Sequence, residues 1–199
     1  MAEEKNDKKI MAIYHIQTAM IKNDIDAAHT ALQLAREINS IESINVIKLR
    51  LAHVLYEKND VSKAYDVLKD LSDIHADDKS NIENANYLLL MGRCALITGN
   101  YNGARDRFEM AYKQASASSL RPEMSDAMSG IARLDILKKD YEKGYRNYRQ
   151  AIKIVRTIAD DIADEGLKKS YLSGEKIVSM ADEIKKLSRI LAQKKRTGV

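Results

Sequence analysis

The sequence predicts an all-α chain in which helical hairpins stack side by side into a solenoid. Three observations carry that expectation. The 199 residues include only 8 Gly and 1 Pro, well under half the usual share of about 12%, and strand-rich folds need those residues at their turns. Apolar residues recur by threes and fours, the helical period. A short turn motif also returns four times at spacings of 36, 40 and 40 residues. With 45% apolar and 31% charged residues, the chain is suited to a packed core rather than to disorder.

In chain order, residues 1–8 read as a polar N-terminal extension. The four hairpins follow at about 9–44, 45–84, 85–124 and 125–158. Their turns are KNDIDAA (22–28), KNDVSKA (58–64), TGNYNGA (98–104) and KKDYEKG (138–144). Asp24, Asp60, Asn100 and Asp140 share one column, followed by Ile25, Val61, Tyr101 and Tyr141. Three places later stands a small residue: Ala28, Ala64, Ala104 or Gly144. Asp and Asn end one helix, tolerate turn conformations and cap the next. The small residue lets two antiparallel helices approach closely. Each hairpin carries an apolar stripe on both helices, such as Leu88, Met91 and Ala95, then Tyr101, Ala104, Phe108 and Ala111. No hairpin can hide both stripes alone, so neighbours must stack. Pro122 falls where the seventh helix should begin, a favourable first-turn position.

Past residue 158 the register fades. Ile158, Ile162, Leu167, Tyr171 and Leu172 precede a break at Ser173-Gly174, and Ile177, Ala181, Ile184, Leu187 and Leu191 follow. The segment 159–193 is expected to be a degenerate fifth pair that caps the stack. The alternative is a homodimer through the C-terminal helix, whose spacing also suits a coiled coil. Residues 194–199 form a basic tail. After Glu183 come six bases and no acid, and removing them turns the net charge from +4 to −2.

The third copy, Leu88-x2-Met91-Gly92-x2-Ala95, Gly99-Asn100-Tyr101 and Ala104-x3-Phe108-x2-Ala111, resembles the tetratricopeptide repeat pattern. The fourth copy answers it with Met128, Ala132, Tyr141, Gly144, Tyr148 and Ala151. In the second, Leu51, Ala52, Leu55, Val61, Ala64 and Leu68 match, and in the first Ile16, Ala19, Ile25, Ala28, Leu32 and Ala35. The sequence departs from the pattern in having no Trp, no repeat-ending Pro and a longer period. The resemblance covers roughly residues 9–158. It implies a right-handed α-solenoid of four such hairpins plus the capping helix pair, and a role as a scaffold that binds a peptide or partner segment along its concave groove.

Chemistry is expected to be absent. No Gly-rich phosphate loop occurs. His15, His29, His53 and His75 lack a second ligand at zinc spacing, and no metal or other cofactor is expected. A Cys94–His53 nucleophile pair is the one catalytic constellation on offer, against the blander reading of Cys94 as a packed helix residue. Asp160, Asp161, Asp164 and Glu165 read as a solvated helical face rather than a cation site. Tyr141, Tyr145 and Tyr148 read as packing rather than a base-stacking platform. No segment has the apolar length of a membrane span, and a lone cysteine with no leader-like start reads as cytoplasmic.

In the resembled family the first helix of each pair faces the groove. The matching column holds Gln17, His53, Arg93 and Arg133, one turn after Ile13, Leu49, Leu89 and Ser129, with Asn86 and Asp126 near them. Relatives that grip chaperone tails use a Lys and Asn carboxylate clamp. Ile13, Gln17 and Arg50 stand at those places, so that use is disfavoured. Arg93 and Arg133 instead suit an acidic, partly apolar segment, unless both simply pair with acids on adjacent repeats. Binding to nucleic acid is disfavoured, because the basic excess is confined to the tail. A second reading makes the chain a sensory or regulatory segment of a bacterial-type signalling or transcription-regulatory system.

Overall fold

The structure, a computed structural model, describes residues 2–71 and 82–197. His75, and residues 72–81 of the expected second hairpin, lie outside the described residues. Among the described residues there are ten α-helices and no strand. The chain divides into two compact units, 1–79 and 80–199. The first contains α1 (Ala2–Lys22), α2 (Ile25–Glu37), α3 (Ile41–Glu57) and α4 (Val61–Lys69). The second contains α5 (Ile82–Ile97), α6 (Tyr101–Ala117), α7 (Arg121–Leu137), α8 (Tyr141–Asp160), α9 (Glu165–Leu172) and α10 (Glu175–Thr197).

The turn column sets the hairpins. Asp24, Asp60, Asn100 and Asp140 are the N-caps of α2, α4, α6 and α8. Each side chain accepts from a backbone N–H up to three residues on, for example from Ala27 at 3.2 Å, Gly103 at 3.0 Å and Lys143 at 3.1 Å. The residue before each cap is left-handed: Asn23, Asn59, Gly99 and Lys139, with φ of 53°, 64°, 81° and 62°. That turn lets the chain end one helix with paired backbone bonds. Asn59 N–H donates to the Tyr56 carbonyl at 2.8 Å, and Asp60 N–H to the Leu55 carbonyl at 2.9 Å. Lys139 and Asp140 repeat the pair toward Ile136 and Asp135, both at 2.9 Å. One Asp thus closes a helix with its backbone and opens the next with its side chain. Between hairpins, Asn39 and Ser119 take the same left-handed conformation. Ser40 then caps α3, whereas α7 starts with Pro122 in its first turn and no side-chain cap.

Within the first unit α1 packs on α2, α2 on α3 and α3 on α4; within the second, α5 packs on α6, α6 on α7 and α7 on α8. The small residues lie at the crossings: Ala28, Ala64 and Ala104 are fully buried. A methyl added at Gly144 would stand 2.8 Å from Ile136 Cγ1 and 3.3 Å from the Ala132 carbonyl, both on α7. The core of the second unit centres on Phe108. Methyls at Gly92 and Gly130 would come within 2.8 and 2.7 Å of its ring, so one glycine on α5 and one on α7 make the slot that the ring fills.

Helix α1 starts at Ala2, within the segment read as a polar N-terminal extension. On its second turn Lys8 bridges Glu4 and Glu37 of α2. At the other end α10 continues to Thr197, because Lys194, Lys195 and Arg196 favour the negative end of a helix dipole. The segment expected as a fifth pair supplies α9, none of whose residues is buried, and α10, which lies against α8. Met180 and Leu187 of α10 are buried, and Lys185, Lys186 and Arg189 are exposed. The apolar side of the C-terminal helix is therefore used within the chain.

Candidate partner-binding face

The nine candidate residues divide between the two units. In the first, Ile13 and Gln17 on α1 are exposed and His53 on α3 is half-buried, while Leu49 is 3% exposed. In the second, Asn86, Arg93 and Ser129 are half-buried and Arg133 is exposed, while Leu89 is 3% exposed. Leu49 and Leu89 are thus core residues that support a surface rather than line one. Four residues span 400° of helix, so each sits about 40° round from His53 or Arg93, enough to turn an aliphatic side chain inward.

The second unit carries five of these residues on α5 and α7, and an ion pair ties Arg93 of α5 to Asp126 of α7. Arg93 Nη2 donates to Asp126 Oδ2 at 2.8 Å, and Lys176 of α10 donates to the other oxygen of the same carboxylate. One acid therefore serves two cations. Glu123, one turn earlier on α7, has its carboxyl pushed up by burial, with the Asp126 charge adding to that and Lys176 opposing it. Further along α7, burial pushes the Tyr148 hydroxyl above its ordinary value, while the nearby Arg133 charge pulls the other way. Among the described residues no carboxylate lies within 4 Å of Arg133, in contrast to Arg93. The sequence pointed to Arg93 and Asp126 but not to Lys176. Lys176 lies 50 residues beyond Asp126, past the end of the readable repeat, and no spacing signals it.

The chain matches the tetratricopeptide repeat-like domain family over residues 3–131. The chain belongs to the tetratricopeptide repeat-like family. Among solved structures it is similar to BtubC (BKLC) from P. vanneervenii, at 13% identity and a TM-score of 0.62, covering 96% of this chain and 78% of that one. It is also similar to a putative kinesin light chain from Podosopora anserina with nearly identical TPR-like repeats, at 14% identity and a TM-score of 0.57, covering 96% of both chains. At these identities the likeness is one of fold. No curated protein sequence matches. Tetratricopeptide repeat-like folds are in general scaffolds for protein–protein contacts.

The residues weighed for other chemistry have places in this tetratricopeptide repeat-like framework. Cys94 is buried, and burial pushes its thiol up to about 11, so it is protonated at neutral pH and shielded from substrate. Asp161 pairs with Arg121 at 2.5 Å and Asp160 with Lys168 at 3.4 Å. Asp164 caps α9 by accepting from Leu167 N–H at 2.7 Å. Of the three tyrosines, Tyr148 is buried, Lys194 sits over the Tyr141 ring at 5.6 Å and Arg149 over Tyr145 at 5.8 Å. Among the described residues, no group of three or more His, Cys, Asp or Glu side chains is placed to hold a metal ion. No helix among them is long and apolar enough to cross a membrane.

Proposed function

We propose that this chain is a non-catalytic adaptor that holds an acidic, partly apolar segment of a partner protein against the α5–α7 face of its second unit. One observation carries the reading. On that face Asp126 is already shared by Arg93 and Lys176, with Glu123 a turn away, whereas Arg133 is exposed and, among the described residues, has no carboxylate within 4 Å. A guanidinium in that position can take a carboxylate in a two-pronged, charge-assisted contact. The buried Tyr148 lies near it, and the buried Leu89 of α5 supports the floor.

Arg133 is the primary receptor, because Arg93 must first share or release Asp126. The test compares acidic and basic peptide pools on the wild-type chain, on Arg133→Ala and on Arg93→Ala plus Arg133→Ala. Acidic peptides should bind preferentially, and Arg133→Ala should weaken them about tenfold, the scale of one hydrogen-bonded charge contact. Equal binding of both pools, or equal binding by wild type and Arg133→Ala, overturns the reading.

A further inference from the structure

We propose that the outer face of α1 is a self-association surface, on which a second copy of this chain packs antiparallel about Tyr14. Helix α1 buries Ala12, Ile16 and Ala19 on one side within the first unit. Its opposite side is not polar. Ile10, Met11, Ile13, Tyr14 and Ile21 are between 49% and 81% exposed. At 100° per residue they fall on one strip about 160° wide, which also carries the exposed Gln17 and Asp7. A helix apolar on both sides is normally covered on both. Among the described residues, no other helix has five large apolar side chains exposed together.

Charge selects a second copy as the occupant. Asp7 and Lys22 lie on the same side of the strip's midline, Asp7 within it and Lys22 at its border, near opposite ends, and each is exposed. Among the described residues, neither has an ion-pair partner within 4 Å in its own chain. They lie 7 residues before and 8 after Tyr14, about 22 Å apart along the axis. When two such helices pair antiparallel, the same edges meet, and Asp7 of each copy comes opposite Lys22 of the other. The two helix dipoles oppose favourably as well. Tyr14 then lies at the twofold axis. Its ring is already braced edge-on by His15, with centroids 5.5 Å apart at 74°. A membrane surface is a poorer fit, because a helix lying in a bilayer carries bases along its polar face, whereas this strip runs from acid to base. Pooled across the axis, the two sets of side chains offer apolar surface on the scale of the roughly 1,000 Å² that a specific contact needs, so the association is reversible and weak.

Sedimentation velocity on the full chain at rising concentration, up to about 1 mM to cover weak complexes, reads this directly. Wild type should shift from monomer to dimer. Tyr14→Glu, which sets two like charges face to face at the axis, should remain monomeric while keeping its helical circular dichroism. Asp7→Lys and Lys22→Glu should each weaken the dimer several-fold, and the double variant Asp7→Lys plus Lys22→Glu should restore it. A Tyr14→Cys chain should cross-link to a covalent dimer under mild oxidation, because its other cysteine, Cys94, is buried. A wild-type chain that stays monomeric throughout overturns the proposal and leaves the strip to a different protein. Association that survives Tyr14→Glu, or a double charge swap no better than the single ones, overturns the antiparallel pairing.

Discussion

In the first unit the second helix of each hairpin closes on an aliphatic side chain, Leu32 or Leu68, and the place matching Gly92 holds Ala52. In the second unit the same column carries Phe108 and Tyr148, and the ring of Phe108 fills a slot floored by Gly92 and Gly130. A polar difference accompanies the steric one. Asp135 of α7 is 3% exposed, accepting from Arg105 of α6 and, at 2.6 Å, from Asn147 of α8. Its column is apolar elsewhere, with Ala19, Leu55 and Ala95. The turns of the two units are nonetheless alike. Backbone caps set the hairpin geometry, and the core side chains are then free to diverge provided each large one meets a small one.

The largest test of this contrast is Phe108→Ala. Emptying the slot should cost about 3–5 kcal/mol, read by chemical denaturation and by loss of amide protection in α5–α7. Leu68→Ala in the first unit should fall within the broader 2–5 kcal/mol range for aliphatics. Gly130→Ala sharpens the point. Alanine favours a helix over glycine by about 1 kcal/mol, yet the new methyl meets the ring and should destabilise by 1–3 kcal/mol. Combining it with Phe108→Leu should recover part of that loss, since residues in contact do not add. Additive losses would mean that the glycines serve something other than the ring.

Asp135 should come next. Removing the carboxylate in Asp135→Ala strips Arg105 and Asn147 of their shared acceptor. Breaking a buried pair costs 3–5 kcal/mol, and because the Arg105 side chain is 25% exposed water can partly replace the lost bond, so about 2 kcal/mol is expected. Asp135→Leu combined with Arg105→Met and Asn147→Leu should be far less harmful than Asp135→Ala, because no polar group is then left stranded. A triple variant as unstable as the single one would show that the aspartate stabilises the unit by shape rather than by its bonds.

The contrast also explains what could be read beforehand. Asp24, Asp60, Asn100 and Asp140 were legible as caps because capping depends on residue type at a fixed spacing. The left-handed residue ahead of each was hidden: Asn23, Asn59 and Gly99 suit it, but Lys139 adopts it against its own preference because the surrounding bonds hold it there. The first two turns of α1 were invisible, since polar residues on an exposed helix carry no stripe. Asp135 had a visible signal in being charged within an apolar column, yet its partners come from two other helices. For the candidate partner-binding face, the column of Arg93 and Arg133 was legible, while the burial of Leu49 and Leu89 turns on the 40° offset of a four-residue step combined with how each helix is rotated against its neighbours, and spacing gives only the first. Lys176 required knowing that α10 returns against α8.

The smallest effect probes what the two units share. Asp60 in the first and Asp140 in the second are each held below the ordinary carboxylate value, chiefly by a hydrogen bond from the side chain of Lys63 or Lys143. A carboxyl whose folded pKa is depressed contributes stability that is fully present above its unfolded value of about 3.9 and is lost as pH falls through the lower folded value. Both caps should therefore weaken below about pH 4. Asp60→Asn and Asp140→Asn keep an acceptor in the capping position, as Asn100 does for α6, but cannot titrate. Each should flatten the acid limb of a thermal-melt series while leaving the neutral limb nearly unchanged. If only one of the two variants flattens that limb, the caps are not equivalent and the contrast between the units extends from their cores to their turns; if neither does, the lysine contacts exert no hold on these carboxylates in solution.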